Sequence, residues 1–168
     1  MRPDEILIAV EKDLKRFAES QPGVRARVQT ATDPWHVLEL LATGPNGRLI
    51  VVNWDGDTNI SEFPQVAINE ERLEVIVGHN LGLTSDPGAT LTRGTEERPG
   101  LMRFMYEVRQ RVRRLTLDPE NTSTCFEYKG TEPMTMPDGI PLAAFKARFE
   151  ITVSGDEPGK SPPWTEAQ

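Results

Sequence analysis

With 168 residues, a hydrophobic share of 37% and a single cysteine, the chain has room for one real core but not comfortably for two, and no internal disulfide. Its net charge of −7 and isoelectric point near 4.9 argue against sequence-independent binding to nucleic acid, which depends on cations displacing phosphate counterions. The longest apolar runs fall far short of a membrane span, and the opening MRPDE lacks a signal-peptide core, so a reducing cytoplasm is the expected setting.

Ile6, Leu7, Val10, Leu14 and Phe17 recur at helical spacing among charged neighbours, which predicts a first amphipathic helix closed near Gln21-Pro22-Gly23. Val24 to Gln29 alternates briefly as a short strand. Asp33-Pro34 offers an N-cap followed by proline, so Trp35 to Ala42 is expected as a short helix ended by Gly44-Pro45-Asn46-Gly47. Leu49 to Trp54 is a continuous apolar run, the pattern of a central strand. Val66-Ala67-Ile68 and Leu73 to Val77 read as two more strand segments, with Asn69 to Arg72 as a hairpin turn or, less favoured, the exposed middle of one long bent strand.

From Leu81 to Arg98 no period is sustained, and Gly82, Pro87, Gly88 and Gly94 interrupt it. Such a loop is either idle or functional, and Asp86, Arg93, Glu96 and Glu97 within it are candidate partner contacts if it orders only on binding. Pro99 suits the first turn of a second main helix, in which Leu101, Phe104, Met105, Val108, Val112 and Leu115 form the buried stripe. Arg103, Arg109, Arg111, Arg113 and Arg114 then form a solvated face or a basic docking patch.

Cys125 to Tyr128 reads as a strand with a buried, inert thiol. Ala143 to Val153 alternates: Phe145, Ala147, Phe149, Ile151 and Val153 point one way, and Lys146, Arg148, Glu150 and Thr152 the other. The two large apolar stripes must cover each other, so Phe104, Val108 and Val112 should lie on Phe145, Phe149 and Ile151. These elements predict an α+β fold: a mixed, mainly antiparallel sheet packed on one side by two main amphipathic helices, with long loops. Residues 1–154 make one domain, and 155–168 an acidic, Pro-rich, disordered tail.

The search for chemistry returns negatives. Asp55-Gly56-Asp57-Thr58-Asn59 begins like a calcium loop, but Ile60 stands where glycine is needed and Val66 where the bidentate glutamate belongs, so a plain polar turn is preferred. His36 and His79 have no neighbours at zinc-ligand spacing. Ser61, Ser85 and Ser123 lie in no hydrolase motif, and Gly44 to Gly47 is too short for a phosphate loop. No catalytic residue, metal site or cofactor is therefore expected.

The order of elements does carry a likeness. An N-terminal amphipathic helix, strands that include Phe63-Pro64-Gln65-Val66-Ala67-Ile68, a variable loop, the helix Leu101 to Leu115, the strand Phe126 to Gly130 and a long last strand resemble tail terminator proteins of long-tailed bacteriophages and related prophage minor tail proteins. The likeness spans about residues 1 to 154. The helix at Trp35 to Ala42 and the tail after Ser154 depart from the smallest members. The resemblance implies a non-enzymatic virion-assembly protein. It would form a ring, commonly hexameric, that caps the tail tube, stops its polymerisation and meets the head-completion proteins, with assembly in the host cytoplasm and a final place in the virion tail. A monomeric binding or adaptor module is the alternative. A small enzyme is a further one, recognisable if His36, His79, Asp55, Asp57 and Cys125 gather in one cleft.

Overall fold

The computed structural model describes residues 2–21, 23–24, 26–31, 33–43, 48–60, 68–81, 86–94, 98–117, 125–135 and 141–154. Helix α1 spans Pro3–Glu19, strand β1 Arg27–Thr30, α2 Pro34–Thr43, β2 Arg48–Asn59, β3 Ile68–Asn80, α3 Leu101–Arg114, β4 Glu127–Pro133 and β5 Leu142–Ser154. The five strands form one sheet in the order β1-β2-β3-β5-β4. All neighbours are antiparallel except β1 and β2, which run parallel on either side of α2. The fold class is α+β.

The helices begin as their sequences dictate. Pro3 and two acidic residues occupy the first turn of α1, where the Arg2 amide donates to the Glu5 carboxylate at 2.8 Å. In α2 the Asp33 carboxylate accepts from the His36 amide at 2.9 Å, the expected N-cap. Helix α3 is capped by Gly100. Pro99 stands just outside the helix rather than in its first turn, because it forms a bridge with Gly94 and its carbonyl is held by Arg48.

One face of the sheet carries α1 and α3. Ile6, Val10 and Leu14 of α1 join Phe104, Val108 and Val112 of α3 over Val75, Ala147, Phe149 and Ile151, with Phe145 at the margin, as the two apolar stripes require. Phe126 meets Phe149 edge-on at 6.3 Å and Tyr128 meets it tilted at 5.8 Å. The opposite face has a smaller cluster, where Val37 and Leu40 of α2 cover Leu49, Val51 and Ile76.

Strand β2 shows how far this cover extends: its first six residues are buried and its last six are exposed or half-exposed. Helices lie over both faces of the first half and leave the second half as a projecting arm.

Four expectations are corrected here. Asn69 to Arg72 is the opening part of a single 13-residue strand, not a hairpin turn, so the less favoured reading of one continuous strand holds. It pairs with β5 along its whole length, and the buried Glu71 carboxylate accepts from the Trp54 indole at 2.8 Å. Asp55 to Asn59 is strand with a bulge, not a turn; Gly56 adopts φ 96°, which explains its glycine.

The segment expected to lack order contains a turn opened by Asp86, whose carboxylate accepts from the Ala89 amide at 2.9 Å, and a π-helix over Ala89–Arg93. Leu91 packs on the main core, and the Thr92 backbone lies so close to Gly100 that no Cβ fits there. Finally, Cys125 is exposed, since the alternation that sends Phe126 into the core turns Cys125 outward. The Val66 and Ala67 part of the predicted strand, the 44–47 turn, Glu96, Glu97 and the tail lie outside the described residues.

Candidate interaction surface

The five α3 arginines do not form one patch. Arg103 pairs with Glu107 one turn along at 3.2 Å. Arg111 turns towards α1 and grips Asp13 in two hydrogen bonds of 2.5 and 2.6 Å, and these raise its pKa further despite partial burial. Arg109 points the other way, between Tyr106 and Tyr128, its guanidinium carbon 4.6 and 4.7 Å from the ring centroids. It donates to the Tyr128 hydroxyl at 3.1 Å, which in turn donates to Thr131 at 2.8 Å. Arg113 and Arg114 are exposed, with no ion-pair partner among the described residues. Of the loop candidates, Asp86 closes its own turn, and Arg93 is exposed at the end of the π-helix.

This leaves an outer flank of α3 with its own character. Met102, Tyr106, Arg109 and Arg113 fall at intervals of four, three and four, one stripe of helix surface beside β4. Met102 and Tyr106 are both 52% exposed, and being one turn apart they form a small apolar strip rather than isolated exposed side chains. Arg113 borders a shallow depression with Cys125, Phe126, Glu127 and Tyr128. Periodicity identifies the buried stripe, and the exposed one is visible in the sequence only as its remainder.

Along β3, β4 and β5 several charged groups satisfy one another. On the face away from α3, Lys146 reaches Glu74 at 2.9 Å and Arg148 reaches Glu132 at 2.6 Å. Lys129 is held by Glu150 and then Glu127, which raise its pKa. Burial alone would raise the Glu11 carboxyl, but hydrogen bonds from Lys15 and Thr30 outweigh it and hold Glu11 below its usual range.

Arg48 is the most deeply buried charged residue among those described. Its side chain is fully buried, donates to the Pro99 carbonyl and lies 4.9 Å from the Phe104 ring centroid, while its Nε and Nη1 have no hydrogen-bond partner among the described residues. Burial first, and then the nearby Arg98 charge, lower its pKa to about 10. Nothing in the local sequence, a turn followed by an apolar strand, marks this position.

The residues that would have to converge for catalysis are apart. His79 pairs with Arg48 at one end of β3, while Asp57 pairs with Glu71 eight residues along, roughly 27 Å at strand rise. His36 lies on α2, which covers the opposite face from α1 and α3, and Cys125 precedes β4. Among the described residues no group of three or more His, Cys, Asp or Glu side chains is placed to hold a metal ion.

No family model matches the chain, and no curated protein does.

Proposed function

We propose that this chain is a non-enzymatic assembly protein of the tail-terminator kind. In this reading copies of the chain close into a ring, hexameric by the resemblance, which seats on the last ring of tail-tube subunits, stops tube growth and presents a surface to head-completion proteins. It acts in the host cytoplasm during assembly and stays in the virion tail.

The observation that carries the reading is the exposed flank of α3. It is apolar and cationic and is built on a rigid helix braced by Arg111 on Asp13 and Arg109 on Tyr128. Large exposed apolar groups beside a desolvatable cation are what a protein partner covers. The scattered positions of His36, His79, Asp55, Asp57 and Cys125 support it from the other side.

Electron microscopy and sedimentation of the purified chain test the reading, followed by its addition to polymerising tail-tube subunits. Rings, and tubes of limited length, are the expected result. A monomer at every concentration, with tube growth unaffected, would favour an adaptor module instead.

A further inference from the structure

The ionic interactions among the described residues leave charges of both signs over, among them the cation Arg72, whose Nη2 lies beside Gly56 of the β2 arm. The unpaired anions include Asp55, Asp57 and Glu70 on the projecting arm of β2 and the adjoining part of β3. The same arm carries Trp54, 41% exposed, and Ile60, 46% exposed. Register places Trp54 opposite Leu73 and Asp57 opposite Glu71, so both lie on the sheet face that bears α1 and α3. The cationic flank with Met102, Tyr106, Arg109 and Arg113 lies over β4, at the other margin of that face. Asp55, in the bulge opposite Arg72, and Ile60, opposite Ile68, turn to the other face; Trp54, Met102 and Tyr106, three of the six large apolar side chains most exposed among the described residues, belong to these two sites.

The two sites cannot meet within one copy. Three interstrand spacings separate β2 from β4, about 14 Å, with the body of α3 between them. They are, however, free to meet between copies. Strand β1 pairs with β2 only from Leu49 to Val52, so beyond Asn53 the outer side of β2 has no neighbouring strand among the described residues. The arm's projection past the helical cover leaves it accessible.

We infer that the arm of β2 docks, by the face that carries Trp54 and Asp57, against the α3 flank of a second copy of this chain, with Asp57 facing Arg113 and Trp54 beside Met102 and Tyr106. The inference rests on the assembly reading above and supplies its contact. Because each copy carries the two sites on opposite margins, the contact is heterologous and repeats head to tail, the geometry that a closed ring requires. Complementary charge fixes register and speeds encounter, while the apolar groups supply most of the buried area.

The test is a charge exchange read by sedimentation velocity, with circular dichroism and melting to check the fold. Asp57→Lys makes one variant and Arg113→Glu the other; Arg109 stays untouched because it braces the helix. Each variant alone should self-associate at least tenfold more weakly than the parent. An equimolar mixture should assemble again, since every lysine arm then finds a glutamate flank and every acidic arm an arginine flank. The milder Asp57→Asn variant should weaken association and flatten its salt dependence, a readout that survives if the lysine variant folds poorly.

Parent assembly with undiminished assembly of the single-site variants would overturn this contact and leave the ring reading standing. Loss in both variants without recovery in the mixture would also overturn it. A parent chain that is monomeric throughout would overturn the ring reading itself.

Discussion

Arg111 of α3 holds Asp13 of α1 through two parallel hydrogen bonds, although 98 positions separate them in the chain. The Asp13 side chain is only 12% exposed, so the guanidinium clamps the two helices that cover the sheet's main apolar face.

Exposed ion pairs contribute little, but a two-pronged arginine on a mostly buried carboxylate lies near the top of their range. Arg111→Ala should lower stability by about 1 kcal/mol. The loss should shrink at high salt. Urea titrations of both proteins at two ionic strengths would show it, and an unchanged midpoint would mean that the clamp contributes nothing.

Arg48 gives a prediction of the opposite sign. A buried cation with two unsatisfied nitrogens pays about 1–3 kcal/mol for desolvation, against a single carbonyl hydrogen bond and an aromatic contact. Arg48→Met keeps much of the side-chain length and removes the charge, so it should stabilise the chain by about 1 kcal/mol. Calorimetry should find the melting temperature raised by roughly 2–4 °C. A lower melting temperature would show that the contacts with Pro99 and Phe104 outweigh the burial cost.

Phe149 is 1% exposed and lies against both Phe126 and Tyr128. Phe149→Ala should cost about 3–5 kcal/mol, the usual range for an emptied aromatic site. A barely altered denaturation midpoint would contradict this account of the core.

Glu11 predicts a pH dependence. Its carboxyl pKa is held below the usual 4.5 in the folded chain, so the folded state favours the charged form. That contribution is fully present above the unfolded pKa and disappears as pH falls through the lower folded value. The stability difference between the parent and Glu11→Gln should therefore be constant near neutrality and narrow as pH falls below about 4.5. Melting curves between pH 7 and pH 3 check this; a difference that widens in acid would reverse the sign.

Gly100 tests the order of the preceding segment. A Cβ there would collide with the Thr92 carbonyl, and a backbone obstacle moves less readily than a flexible side chain. Gly100→Ala should cost about 1–3 kcal/mol and raise amide exchange at residues 89–94. Unaltered exchange would mean that the π-helix does not depend on this close approach.

Much of the fold was legible in the sequence because α1, α3 and β5 each carry a regular period with one apolar face. Phe104, Val108 and Val112 meet Phe149 and Ile151 as the patterns require. What escaped depends on distant partners. Asn69 to Arg72 looks like a turn locally and becomes strand because Trp54 and β5 supply its hydrogen bonds. Leu91 anchors a segment rich in glycine and small polar residues by reaching a core that local composition does not reveal. The candidate surface was legible only in part. The arginines could be counted, but which are satisfied internally depends on Asp13, Glu107 and Tyr128, and only the remainder marks the exposed site.

The pairing of β3 with β5 has a consequence for synthesis. Leu73 must wait for Phe149, about 75 residues later in the chain. At the usual pace of translation that delay is roughly 4–15 s. Throughout it one side of a strand that is mostly buried in the folded chain has no partner, so a nascent chain stopped before Leu142 would expose a ready template for aggregation. The Asn69 to Arg72 stretch places two glutamates and an arginine along that waiting edge, and the charge that disguises the strand in the sequence also guards it until its partner arrives.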